Sequence, residues 1–166
     1  MQNRIYGFPP VEDENVRILI VGSMPSVASL DADFYYGHPR NAFWPIMANV
    51  FSVKACKTVE EKKALLLKNN IALWDVYKSC VRVGSLDSAI REGEKNDFVS
   101  FFKTHPNIRA VLCNGTTAYQ MFDPSVCPGL PVFRLPSTSP ACTKKFDLKL
   151  SAWKQALTES LKEQSQ

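Results

Sequence analysis

Three short segments of this chain carry residue types that could do chemistry on a flat, polar ring. The richest is Tyr35-Tyr36-Gly37-His38-Pro39-Arg40-Asn41-Ala42-Phe43-Trp44. Aromatic side chains, a proline-locked turn and one carboxamide crowd a single stretch, which suits a pocket that grips a planar ring and offers it one polar group. The second segment, Gly22-Ser23-Met24-Pro25-Ser26, follows an apolar run. Gly22 permits close approach of a ligand or another backbone, and Pro25 fixes the turn. A plain strand-to-helix connection would read the same way. It is not a phosphate loop, because neither Gly-x-x-x-x-Gly-Lys nor Gly-x-Gly-x-x-Gly occurs. The third segment is Pro136-Ser137-Thr138-Ser139-Pro140. Its hydroxyls and backbone N–H groups could bond phosphate oxygens, holding a nucleic acid without reading its sequence. A serine-proline turn without function is the other reading.

Other chemistries find little support. Ser23, Ser26, Ser137 and Ser139 lack a His-Asp partner set. His38 and His105 are the only histidines, so a multi-histidine metal site is excluded. His38 reads either as a structural hydrogen-bonding group or as part of the cleft. Asp75 is the best lone carboxylate, although a cap on the next element accounts for it as well. The cysteines are Cys56, Cys80, Cys113, Cys127 and Cys142; an odd number without a Cys-x-x-Cys pair reads as reduced thiols rather than a disulfide framework or zinc site. No metal or organic cofactor is implied.

These segments need a scaffold. The chain has 166 residues, 45% apolar and 22% charged, enough for a single domain over residues 1–166 with its own core. Strands are expected over 16–21, 71–75, 109–113 and 131–135. Helices are expected over 42–51 after an Asn41 cap, from a capping box at Thr58-Val59-Glu60-Glu61 to about 69, then over 96–103, 116–122 and 146 to about 163. This alternation predicts an α/β fold: a three-layer domain with a central, mainly parallel four-stranded sheet and helices on both faces. Such sheets bind ligands outside the carboxyl ends of their strands. The loops at 22–26, 114–116 and 136–140 should therefore share one edge and build one cleft. Net charge is +4, and the span 134–154 carries Arg134, Lys144, Lys145, Lys149 and Lys154 against Asp147 alone. A polyanion partner or a solvated helix face would both produce that run. No apolar run is long enough to span a bilayer, and the N-terminus lacks an apolar signal-peptide core. A cytoplasmic monomer is expected.

The motifs resemble those of the uracil-DNA glycosylase superfamily. Gly22-Ser23-Met24-Pro25-Ser26 is similar to its first motif and Leu135-Pro136-Ser137-Thr138-Ser139-Pro140 to its second. Tyr36-Gly37-His38-Pro39-Arg40-Asn41-Ala42-Phe43-Trp44 resembles the Phe-x-His-Pro-x-Asn-x-Phe-Trp stretch of the mismatch-specific uracil glycosylases. Two positions depart from the family pattern. Met24 stands where a catalytic Asn or Asp is usual, and Leu135 where a His or Asn is usual. With Trp74-Asp75-Val76-Tyr77 and the segment Gly84-Ser85-Leu86-Asp87-Ser88-Ala89-Ile90, the pattern is similar to the hypoxanthine-DNA glycosylase branch.

The resemblance implies a monofunctional enzyme that excises hypoxanthine from deoxyinosine in damaged double-stranded DNA, with Asn41 as the catalytic amide. Gly22, Ser23, Met24, Pro25, Ser26, Tyr36 and His38 would bind the flipped base. Ser137, Thr138, Ser139, Pro140, Lys144 and Lys145 would hold the DNA. Excision of uracil or thymine from mismatches, and lesion binding without catalysis, are the competing expectations. A generic nucleotide-binding α/β domain fits less well without a phosphate loop.

Overall fold

The computed structural model describes residues 3–162. In chain order the elements are β1 (Arg4–Tyr6), β2 (Ile18–Gly22), α1 (Val27–Ala32), α2 (Phe43–Val50), α3 (Val59–Lys68), β3 (Ile71–Asp75), β4 (Tyr77–Val81), β5 (Arg91–Lys95), α4 (Phe98–Thr104), β6 (Ala110–Asn114), α5 (Thr116–Met121), β7 (Val132–Leu135) and α6 (Phe146–Lys162). Short 3-10 turns lie at Asp87–Ala89 and Pro124–Val126.

All five residues of β2 and all five of β6 are buried, as continuous apolar runs require when both faces of a sheet are covered. The main sheet has the order β3-β2-β6-β7, and every pairing in it is parallel. The chain enters at β2, steps outward to β3, then crosses to β6 and β7 on the other side. The strand order therefore reverses between β2 and β6, the position at which open α/β sheets form ligand crevices.

Alternation along β2 sorts the core into two layers. Ile18 and Ile20 join Ile71, Leu73 and Leu112 under α2, α3 and α6, with Phe43, Trp44, Leu66 and Trp153. Leu19 and Val21 join Ala72, Val111 and Cys113 under α4 and α5, with Phe98, Phe101 and Ala118. The expected three-layer arrangement of helices on both faces is present. The Thr58 capping box forms, Glu61 N–H donating to Thr58 Oγ1 at 3.1 Å. The last helix runs to Lys162; its expected end near Glu163 lies outside the described residues.

Two features were not expected from sequence. One is a second sheet, antiparallel, of order β1-β4-β5. The strand β5 reads Arg-Glu-Gly-Glu-Lys with every residue exposed, so no apolar alternation marks it. The other is the six-residue helix α1, which begins where Ser26 Oγ accepts the Ser29 N–H at 3.1 Å. The helix expected from residue 42 begins one residue later, at Phe43.

Candidate active site

Strand register brings four chemically distinct residues into one row. Gly22 pairs with Asp75 across β2 and β3, Val21 with Cys113 across β2 and β6, and Asn114 with Leu135 across β6 and β7. The carboxyl edge of the sheet thus reads Asp75, Gly22, Asn114, Leu135. Above it opens a cavity of about 710 Å3 whose wall includes all four, together with Tyr36 and Asn41. That volume lies within the roughly 300–1,000 Å3 typical of small-molecule sites.

Glycine at position 22 is required by space. A methyl group there would lie 2.5 Å from Oδ1 of Asp75 and 2.8 Å from the Tyr36 hydroxyl. Asp75 is 3% exposed, and its Oδ2 has no hydrogen-bond partner. Burial, reinforced by the charge of Asp87 and opposed by that of Arg82, raises its carboxyl to about 7. The Tyr36 hydroxyl is likewise buried with no hydrogen bond of full geometry, although Asn114 lies near enough to favour its ionised form; burial first, then the charge of Asp75, outweigh that and push its pKa up, so it is a neutral donor. Arg82 is partly engaged by backbone: Nη2 donates to the Pro25 carbonyl and Nε to that of Gly84 at 2.9 Å, while its buried Nη1 has no partner.

The aromatic segment divides between core and cavity. Tyr35, Phe43 and Trp44 are buried, and Trp44 Nε1 donates to the Tyr35 carbonyl at 2.9 Å. Most of the rings expected to line a pocket therefore hold the segment down. Tyr36 and Asn41 are on the cavity wall, and the buried Tyr35 also lines it. One face of the Tyr36 ring stacks on Phe43, with centroids 4.3 Å apart. Its backbone is left-handed, φ 54°, an uncommon conformation for a bulky residue that aims the ring inward. Asn41 Oδ1 accepts the Phe43 N–H at 2.9 Å, so the carboxamide oxygen is engaged at the start of α2 and the NH2 is the group left to face the cavity.

His38 is not on the cavity wall. Its Nδ1 accepts the Arg40 N–H at 3.0 Å and its carbonyl accepts the Asn41 N–H at 2.9 Å. It shapes the turn that places Asn41, because its acceptors sit where the chain must reverse. In the first loop, Gly22, Ser23, Met24, Pro25 and Ser26 all line the cavity. Met24 is 7% exposed and packs into the core layer under α4 and α5.

The 136–140 loop is strapped to the protein. Asn114 and Thr138 exchange two bonds: Thr138 N–H donates to Oδ1 at 2.9 Å, and Asn114 Nδ2 donates to Thr138 Oγ1 at 3.0 Å. The Thr138 carbonyl accepts the Ala42 N–H at 2.9 Å, and Trp153 Nε1 donates to the Pro136 carbonyl at 2.9 Å. Thr138, 1% exposed, lines the cavity, and its N–H, carbonyl and hydroxyl oxygen are bonded within the protein. Ser137, Ser139 and Lys144 line the cavity; Pro140 and Lys145 lie outside its wall, with Lys145 exposed beside it in sequence. Lys149, one of the basic run, is buried and donates to the carbonyls of Ser139 and Cys142 at 3.1 and 2.9 Å. It holds the loop from below rather than facing a partner.

Sequence reasoning gave three contributors no role in the site. Asp75 was singled out as the best lone carboxylate, with a cap as the other reading, although its place at the carboxyl end of a parallel strand was a usable signal. Asn114 was seen only as part of a loop. The 84–88 segment closes one side of the cavity: Ser23 Oγ donates to Asp87 Oδ1 at 2.7 Å, and Val27 N–H donates to Ser85 Oγ at 2.9 Å. Among the described residues, no group of three His, Cys, Asp or Glu is placed to hold a metal, and no helix is long and apolar enough to cross a membrane.

Parallel sheet, switch-point cavity and strapped second loop together describe one protein class. The family model for the uracil DNA glycosylase superfamily matches residues 9–162, and the chain belongs to that superfamily. Among its relatives, a protein of Methanosarcina barkeri named hypoxanthine DNA glycosylase is 35% identical over 153 residues, covering 90% of this chain and 96% of the other. One of Methanosarcina acetivorans with the same name is 43% identical over 113 residues, 68% of this chain and 72% of the other. A solution NMR structure from Methanosarcina acetivorans, described provisionally as a uracil DNA glycosylase, superimposes with a TM-score of 0.83 at 35% identity, over 95% of this chain and 99% of that one.

Proposed function

We propose that this protein is a monofunctional DNA glycosylase that excises hypoxanthine from deoxyinosine in duplex DNA, hydrolysing the N-glycosidic bond to leave an abasic site. The observation that carries the reading is the meeting of Tyr36, Asn41 and the first-motif loop on one cavity at the sheet's carboxyl edge. The names of the two Methanosarcina relatives support the choice of base.

A duplex hides the target bond, so the nucleotide is turned out into the cavity at a cost of a few kcal/mol, less where pairing is imperfect. The ring rests against Tyr36, a contact worth about 1–3 kcal/mol per base. Backbone N–H groups of the 22–26 loop and the Asn41 NH2 bond its polar edge and stabilise charge that builds on the departing base. Met24 supplies surface but no polar group, since a thioether cannot orient water. The bond to the base breaks first, and the cationic sugar is then met by water. Ser137, Ser139, Lys144 and Lys145, with Pro140 at the loop's turn, face the phosphates. The chain acts as one unit, as a monomer in the cytoplasm.

Purified protein is incubated with end-labelled duplexes containing one deoxyinosine, uracil or xanthine, followed by alkaline cleavage. Scission at deoxyinosine is expected. Scission at uracil alone replaces the target base, and retention of lesion duplex without scission on any substrate makes the protein a binding module.

A further inference from the structure

Asp75 stands out because the mechanism above leaves it unused. A carboxyl group 97% removed from solvent normally carries an ion pair or several hydrogen bonds; its exposure is 3%, and Oδ2 has no partner. The nearby cation, Arg82, donates from Nη2 and Nε to the carbonyls of Pro25 and Gly84 and keeps a buried, unpartnered Nη1, and among the described residues no salt bridge joins it to Asp75. The carboxyl nonetheless opens onto the cavity, pressed against the space that Gly22 leaves empty. We propose that Asp75 is a catalytic acid, handing a proton to a ring nitrogen of the departing purine. The proposal rests on the glycosylase reading of the cavity.

The step balances. The protonated carboxyl gives its proton to the base as the C1′–N9 bond breaks, and the bonding pair leaves with the base. Water adds at C1′ and returns one proton to the Asp75 carboxylate. Deoxyinosine and water become free hypoxanthine and an abasic sugar, and the acid is restored.

The surroundings keep the proton on the carboxyl near neutral pH. Burial acts first and the charge of Asp87 adds to it, while Arg82 opposes, leaving the group at about 7. Tyr36 and Tyr35, the other titratable groups coupled to it, are held neutral by burial and by its own charge. Asp75 also sits one strand over from the position at which Met24 has replaced the usual polar residue, so the β3 edge supplies a proton-bearing group that the β2 loop lacks.

Single-turnover excision of hypoxanthine is measured from pH 5 to 9 on wild-type protein, Asp75→Asn and Asp87→Asn, with lesion-duplex binding measured in parallel. The wild-type rate falls as pH rises through about 7. Asp75→Asn, which keeps size but cannot transfer a proton, slows excision at pH 6 by about 100-fold or more, removes the falling limb and leaves binding in place. Asp87→Asn moves the limb to lower pH, a shift that a purely structural Asp75 would not produce. A flat wild-type profile, or an Asp75→Asn rate equal to wild type, overturns the acid role while leaving the glycosylase reading intact. Absence of wild-type excision removes both.

Discussion

Asn114 and Thr138 lie 24 positions apart and exchange two hydrogen bonds across the gap between β6 and the loop after β7. Each group satisfies the other in a buried setting, so the loop after β7 is fixed from the sheet and not from solvent. Breaking one side strands the other. Asn114→Ala leaves the Thr138 N–H and hydroxyl without partners and is expected to lose roughly 1–3 kcal/mol of stability per stranded group. Urea unfolding of Asn114→Ala, Thr138→Val and the double variant checks this; additive losses would mean that the pair is not coupled.

Substitution can separate the bond that Asn41 makes to the Phe43 N–H from the contact with the base proposed for its NH2. Asn41→Asp keeps an oxygen for the Phe43 N–H but removes the NH2. It is expected to unfold at the wild-type urea concentration and to lose most excision. Asn41→Ala is expected to lose excision too, together with about 1 kcal/mol from the missing helix-start bond. In both variants duplex binding survives. A single-turnover rate equal to wild type in Asn41→Asp would remove the amide from the mechanism.

Gly22→Ala tests the crowding at the sheet edge. The added methyl would meet Asp75 Oδ1 at 2.5 Å and the Tyr36 hydroxyl at 2.8 Å. Rearrangement of both is expected, with a stability loss of about 1–3 kcal/mol and excision reduced well beyond what that loss explains. Activity at wild-type level in a destabilised Gly22→Ala protein would show that neither side chain needs its present position.

Stability should depend on pH through Asp75. Its carboxyl moves from 3.8 to about 7 on folding. Between those values the folded chain holds a proton that the unfolded chain has released, so stability falls as pH rises through this window and is level above it. The total fall is on the order of a few kcal/mol. Urea midpoints from pH 4 to 8 are expected to decline for wild type, and to decline less for Asp75→Asn, in which no carboxyl remains to titrate.

Lys144 and Lys145 are exposed at the strapped loop's end of the cavity. If they neutralise phosphates, Lys144→Ala and Lys145→Ala each weaken binding to any duplex and reduce the salt slope by about 1. Fluorescence anisotropy between 50 and 200 mM salt, with and without deoxyinosine, distinguishes this general weakening from a loss of lesion preference.

The parts of the fold that were legible in sequence are those governed by local pattern. The buried strands at 18–22 and 110–114 are continuous apolar runs, and the Thr58 capping box is a short-range hydrogen-bond code. The β5 strand was illegible because its exposed Arg-Glu-Gly-Glu-Lys sequence carries no apolar alternation. Asn41 and Tyr36 could be singled out as an amide and a ring next to a proline turn. Asp75 could not be valued properly, because its significance lies in what surrounds it: Gly22 on the next strand, Asp87 twelve positions on, and an arginine already engaged elsewhere. The internal bonds of Thr138 were hidden for the same reason, since a hydroxyl in a loop shows no partner until Asn114 is located beside it. Phe43 and Trp44 show the converse, aromatic residues that anchor the segment and leave the cavity to Tyr35, Tyr36 and Asn41.

The row Asp75, Gly22, Asn114, Leu135 draws one residue from each of four strands, with segments between them that wander through every helix but the last. Residues 18–75 can pair Gly22 with Asp75, but the row closes only when the strands at 110–114 and 132–135 have joined. A nascent or partly unravelled molecule would hold only half a wall, so full base removal should start only after the whole sheet has zipped.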